Sequence, residues 1–330
     1  MSGLKLGVAG AGKWGGNHVA TAAALGALGA ICDADAALLG RIWDAYPDAQ
    51  VTSRYADLLK MNVDAIVIAT PAQTHAQLAL AAIAAGKHVF VEKPLALSIE
   101  DAQRVVDEAR RKNLRVFVGH IVLYQAAVRS LLDQLRAGAI GDVYHLRARR
   151  ASFGRLRFVE DVWWSFAPHD VATMLEVMGE LPADATLARQ SYATRGIADL
   201  AYADYRFSRD RTAHVEVTWL DPNKGAQLDV FGSEGVLRLR EARDDITLTH
   251  VACGVNRDGG RPELWRGEER NVHFERDEPL RTELQAFIDF IERGRPVPTD
   301  GDAGLRVVRA LAMAATPGHI LHEIYERTPV

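Results

Sequence analysis

The six residues Gly10-Ala11-Gly12-Lys13-Trp14-Gly15 constrain this chain more than any other feature. They follow an apolar run, Leu4–Ala9, and open a helical stretch, so a G-x-G-x-x-G pattern stands in a strand–turn–helix setting. Each glycine then has a task. The first permits a tight turn, the second lets backbone approach a diphosphate, and the third lets helix pack closely on strand. The diphosphate rests on the unpaired amides of the helix N-terminus. An acid, Asp33, ends the second apolar run and is followed by Ala34 and Asp35 with no adjacent arginine. A carboxylate there accepts ribose hydroxyls and repels a 2′-phosphate, which favours NAD over NADP.

The alternation continues. Ala27–Cys32, Ala65–Ala69, His88–Val91 and Arg115–Val118 are short apolar runs of the kind buried in parallel sheets. Between them, Thr74–Ala85 reads as a helix ending at Gly86, and Ser98–Lys112 as one capped by Ser98 with Asp101 three residues on. Residues 1–119 therefore predict an α/β domain with a doubly wound parallel sheet.

After Gly119 the pattern changes. Ala126–Ala137 reads as a helix closed by Gly138, and Val143–Ser152 starts a series of period-two segments. Leu200–Phe207, Thr212–Trp219, Ala226–Phe231, Val236–Arg240 and Ile246–Val251 continue it, separated by turn signals such as Asp221-Pro222-Asn223. Leu280–Arg293 and Ala303–Ala315 close the chain as helices, and Arg257–Arg270 reads as a surface loop. Residues 120–330 predict an α+β domain with a large, mostly antiparallel, open-faced sheet.

Composition excludes several classes. With 39 basic and 43 acidic residues the net charge is -4, so no global field attracts nucleic acid or an anionic membrane. Two cysteines make no disulfide scaffold, and the histidines show no metal-ligand spacing, so no metal is expected. No apolar run approaches the roughly 20 residues that span a bilayer. The start of the chain lacks the charged and apolar regions of a signal peptide, and a cytoplasmic protein is expected.

Ligands of parallel sheets lie at the carboxyl ends of the strands. Two further strand ends point there: Ala69-Thr70-Pro71 with Thr74-His75, and Glu92-Lys93-Pro94. Proline after Lys93 keeps that lysine extended, and only seven of the basic residues are lysines. His75 reads either as a site residue or as an ordinary residue at a helix start.

These motifs, with Gly119-His120, Pro168-His169-Asp170 and Gly232-Ser233-Glu234-Gly235, resemble the Gfo/Idh/MocA oxidoreductases along the whole chain. The resemblance implies an N-terminal Rossmann domain and a C-terminal domain whose open sheet packs against other subunits, hence a homo-oligomer. It implies NAD held by Gly10, Gly12, Lys13, Trp14, Gly15, Asp33, Thr70, Pro71, His75, Glu92 and Lys93. His169 is implied as the base and Lys93 as the hydrogen-bonding cation, both at the substrate. An imidazole, with an ordinary pKa of about 6.5, suits that task. Pro168 is expected at the first turn of the helix that carries His169. Family members usually carry aspartate four residues before the histidine; here that position is Ser165, which orients an imidazole but cannot balance its charge.

Lys13-Trp14-Gly15-Gly16-Asn17-His18 and Phe153-Gly154-Arg155 resemble the sugar-nucleotide branch, which includes UDP-N-acetylglucosamine 3-dehydrogenases. Arg147, Arg149, Arg150, Arg155 and Arg157 crowd into eleven residues. Most fit a solvated strand face with ion pairs, but Arg155 and Arg157 fall in a loop where guanidinium forks suit a diphosphate. Trp163 and Trp164 either stack on a base or pack the core. His120 and Tyr124 are candidates to line the pocket, and Tyr124 and Trp164 complete the substrate set. Three readings follow: a dehydrogenase of a nucleotide sugar, a dehydrogenase of a free cyclitol or sugar, and an NAD-binding sensor without catalysis.

Overall fold

Strands with no exposed face organise the first unit of the computed structural model, which describes residues 3–153, 160–242, 245–257 and 260–315. In chain order come β1 (Leu6–Ala9), α1 (Gly15–Ala24), β2 (Leu28–Cys32), α2 (Ala36–Ala45), β3 (Gln50–Thr52) and α3 (Tyr55–Leu58). They are followed by β4 (Ala65–Ile68), α4 (His75–Ala84), β5 (His88–Glu92), α5 (Ile99–Arg111) and β6 (Val116–Gly119). The sheet order is β3-β2-β1-β4-β5-β6, with every pair parallel. Every residue of β1 and β4 is buried, which is why these runs are continuously apolar rather than alternating. Ser98 caps α5 by accepting the Asp101 amide at 3.1 Å, as its spacing predicts. The edge strand β3 is three residues long, too short for a sequence pattern to reveal.

The second half supplies α6 (Ala126–Arg136), β7 (Val143–Phe153), α7 (Val162–Met178), β8 (Asp184–Gln190), β9 (Leu200–Arg206) and β10 (Thr212–Thr218). Then come β11 (Leu220–Gly232), β12 (Gly235–Ala242), β13 (Asp245–Asn256), β14 (Glu263–Asn271), α8 (Pro279–Arg293) and α9 (Gly301–Ala315). The eight-stranded sheet runs β14-β13-β12-β11-β7-β10-β9-β8, antiparallel except where β10 pairs with β7. Burial alternates along β9 in the expected period of two. α7 packs on β7, β9 and β10, and α6 on β12 and β13.

Three expectations are corrected. Much of Arg257–Arg270 is strand β14 rather than loop; every residue of it is exposed, so no apolar alternation marked it. The predicted turn Asp221-Pro222-Asn223 lies inside β11, in a bulge between the pairings of Leu220 and Gly225, where proline's missing amide costs no ladder bond. Pro168 is not at a helix start: α7 begins earlier, where Asp161 caps it by accepting the Trp164 amide at 3.0 Å. By contacts the chain divides into two compact units. One compact unit runs to Tyr124 and takes back Asp277–Val308; the other comprises Gln125–Arg276 with the residues from Arg309. α8 belongs to the first unit because its Phe287 ring packs on Phe90 and Phe117, with centroids 5.6 and 5.4 Å away. Among the described residues no helix is long and apolar enough to cross a membrane.

Candidate functional site

In the first unit the glycine turn leaves β1 and enters α1. Gly10 has φ +85°, and a Cβ there would stand 2.8 Å from the Ala69 carbonyl oxygen. A Cβ at Gly15 would overlap the Gly10 carbonyl oxygen at 1.8 Å, so helix and turn touch only because both residues are glycine. Around Gly12, by contrast, the space is open to 4 Å, as an approaching diphosphate needs. No side-chain cap and no first-turn acid compete for an anion at the N-terminus of α1. Lys13 beside it is exposed.

Asp33 ends β2, where its carboxylate is held by backbone. One oxygen accepts the Ala11 amide at 2.6 Å and the other the Asp35 amide at 2.9 Å. A carboxylate oxygen accepts more than one hydrogen bond, so this fixed group still suits ribose hydroxyls. Glycine turn, open approach and anchored acid together fit NAD.

The end of β5 is wired to the same turn. Glu92 Oε1 accepts the Trp14 indole N–H at 2.5 Å and a His18 Nε2–H at 2.7 Å, while Oε2 accepts the Lys93 amide at 3.2 Å. Burial works against the Glu92 charge, yet the His18 and Trp14 hydrogen bonds and the Lys93 charge hold its carboxyl below the usual range. Lys93 itself is half-buried, immediately after the strand.

His75 is buried at the start of α4. Its Nδ1 lies 2.8 Å from the Pro94 carbonyl and its Nε2 2.9 Å from the Thr70 carbonyl. The ring thus ties the loop after β4 to the segment carrying Lys93. Thr70 is half-buried, Pro71 is exposed, and the Thr70 and Thr74 hydroxyls bond to each other at 2.7 Å. His120 is buried, and among the described residues neither ring nitrogen has a hydrogen-bond partner. Burial first, then Lys93, pushes its imidazole down to about 3. Tyr124 is buried too, stacked on Phe117 with its hydroxyl 2.8 Å from Thr299 Oγ1, a core arrangement.

In the second unit His169 is half-buried on α7, and Ser165 is buried one turn before it on the same helix. The acids nearby have other partners. Asp170 is clamped by Arg150, and Asp161, besides capping α7, pairs with Arg189 at 3.4 Å. Trp163 is fully buried and donates to the Leu311 carbonyl at 3.2 Å, so it packs the core; Trp164 is half-buried. Three of the clustered arginines take the ion-pair reading: Arg147 with Asp229, Arg149 with Glu216 and Asp221, and Arg150 with Asp170. Arg155 and Arg157 lie outside the described residues. Sequence reasoning missed Glu283 on α8, whose buried carboxyl has no hydrogen-bond partner among the described residues. Its signal is the spacing to Phe287, which places an acid on the apolar stripe of an amphipathic helix.

Residues 4–120 match the oxidoreductase family GFO/IDH/MocA, NAD-binding Rossmann fold, and residues 128–238 match the GFO/IDH/MocA C-terminal domain. The chain is similar to the UDP-N-acetylglucosamine 3-dehydrogenase of Acidithiobacillus ferrooxidans, 26% identical over 93% of this chain and 95% of that one. A solved structure of that enzyme superposes with a TM-score of 0.82 over 94% of this chain and 96% of the other, at 25% identity. The myo-inositol 2-dehydrogenase of Thermotoga maritima is 27% identical over 74% of each chain. The fold also matches that of the WlbA dehydrogenase from Bordetella pertussis, solved with NADH and UDP-GlcNAcA, with a TM-score of 0.78 over 94% of this chain and 96% of the other at 22% identity. With the anchored Asp33, the glycine turn and both domain matches in place, the chain belongs to the GFO/IDH/MocA oxidoreductase family and carries its NAD-binding Rossmann fold.

Proposed function

We propose that this protein oxidises a secondary hydroxyl of a nucleotide sugar, at C3 of UDP-N-acetylglucosamine, with NAD as the oxidant. The observation that carries the reading is the near full-length similarity to the Acidithiobacillus ferrooxidans 3-dehydrogenase. NAD, when bound, supplies the hydride acceptor. The chain's own residues supply the rest. His169 takes the hydroxyl proton through its ring, and Ser165, one helical turn earlier, orients that ring. Lys93 donates a hydrogen bond to the oxygen as negative charge develops on it. Its backbone is fixed on both sides: Glu92 accepts its amide, and His75 meets the carbonyl of Pro94. Arg155 and Arg157 bind the diphosphate in this reading, which for them rests on sequence. The subunits associate through the open face of the C-terminal sheet.

A second reading, oxidation of a free cyclitol, draws support from the myo-inositol 2-dehydrogenase relative. The deciding assay follows NADH absorbance with UDP-N-acetylglucosamine, free N-acetylglucosamine and myo-inositol. Turnover of the nucleotide sugar alone supports the first reading, and Arg155→Ala or Arg157→Ala then raises KM more than it lowers kcat. Preferred turnover of inositol or the free sugar replaces it with the second. NAD binding without turnover of any of them points to a sensor.

A further inference from the structure

Glu283 has no exposed surface, and among the described residues neither of its carboxyl oxygens has a hydrogen-bond partner. The packing of α8 brings it toward Glu92. Phe287, one turn after Glu283 on the same helix face, packs its ring on Phe90 and Phe117. Two residues after Phe90 on β5 stands Glu92, on the same side of the strand. Two residues after Phe117 on β6 stands Gly119, where a Cβ would lie 3.0 Å from the Glu92 carboxyl carbon. Glycine thus leaves that space clear. α1 closes the cluster: His18 packs edge-on against Phe90, centroids 5.1 Å apart, and bonds to Glu92. The two carboxyl groups interact electrostatically.

Their surroundings separate them. Glu92 has three hydrogen-bond donors and stays charged. Glu283 has none, and burial, then the Glu92 charge, push its carboxyl well above the usual range. Coupled acids in unequal settings divide into one charged and one neutral member.

We propose that Glu283 is a positioning residue for Lys93: the protonated member of a buried carboxyl pair whose partner, Glu92, carries the pair's negative charge beside that lysine. The proposal rests on the reading of Lys93 as the group that stabilises the developing alkoxide. Among the described residues, the titratable groups on the elements packed around the pair include Glu92 and Lys93 at the end of β5, His18 on α1, and His120 and Tyr124 after β6. At neutral pH the pair carries one carboxylate charge, on Glu92. As pH rises and Glu283 ionises, a second negative charge appears, which makes Lys93 hold its proton longer.

Two measurements test this. Infrared difference spectra of native protein against Glu283→Gln at pH 7 should contain the C=O stretch of a protonated carboxylic acid. In Glu92→Gln, which removes the repelling charge, that band should titrate away at lower pH than in the native protein. A carboxylate band from Glu283 at pH 7, or a titration unmoved by Glu92→Gln, overturns the pair whether or not the substrate is correctly assigned. In the kinetic arm, the alkaline limb of kcat/KM for the oxidised sugar moves down by about one pH unit in Glu283→Gln. An unmoved limb with the infrared band in place overturns the link to Lys93 and leaves the pair standing.

Discussion

Asp170 on α7 receives the guanidinium of Arg150 on β7 in a two-pronged contact, Nε at 2.8 Å and Nη2 at 3.0 Å. Both carboxylate oxygens are engaged and almost fully buried, with the Asp170 side chain 8% exposed. Although Asp170 adjoins His169 in sequence, its carboxylate is committed to joining helix and sheet. Removing the arginine leaves a buried charge unpaired, which costs about 3 kcal/mol. Arg150→Met should therefore lower the urea midpoint by that equivalent. A loss under about 1 kcal/mol would show the pair to be no stronger than a surface ion pair.

Cofactor choice follows from Asp33. Its oxygens are pinned by the Ala11 and Asp35 amides, so the carboxylate cannot swing away from an incoming 2′-phosphate. NAD should bind more tightly than NADP, and Asp33→Ala should narrow the gap, measured by fluorescence titration of each nucleotide. Equal affinities in the native protein would remove the role assigned to Asp33.

His120 makes stability depend on acid. Its folded-state pKa, pushed down to about 3 by burial and by Lys93, lies below the unfolded value of about 6.5. Between those values the unfolded chain binds the extra proton, so stability is full above pH 6.5 and falls as pH drops toward 3. The slope contributed is at most about 1.4 kcal/mol per pH unit. His120→Leu, which cannot titrate, should flatten the plot of urea midpoint against pH over this window. Parallel plots for the two proteins would show that His120 is not the group responsible.

Much of this was readable in the residues, and the exceptions share a cause. β1 and β4 declared themselves because strands buried on both faces must be apolar throughout. Ser98 declared itself because capping needs a particular side chain at a particular offset. β14 did not, since an entirely exposed edge strand carries no pattern. The start of α7 was obscured by Pro168, a stronger local signal than the Asp161 that caps the helix. Glu283 was passed over because an acid in an amphipathic helix normally faces water, although its spacing to Phe287 puts it on the inner stripe. Local chemistry was legible, and partners distant in sequence were not.

The roles proposed for Lys93 and His169 predict separable defects. If Lys93 stabilises the oxygen and His169 takes its proton, Lys93→Met and His169→Asn each lower kcat by about 10²- to 10⁴-fold. They differ in NAD binding. Lys93 follows Glu92, which Trp14 of the glycine turn also contacts, so its loss should weaken NAD. His169 lies on α7, outside the Rossmann unit, so its loss should leave NAD affinity nearly unchanged. Ser165→Asp supplies the third arm. A carboxylate one turn before the imidazole stabilises its protonated form, so the acidic limb of kcat should move to higher pH while the maximal rate is kept or raised. Calorimetric NAD titrations and pH–rate profiles of the three variants decide the matter. A His169→Asn enzyme within a few-fold of the native rate would transfer the base role to another residue, and Asp170, clamped by Arg150, would not be the candidate.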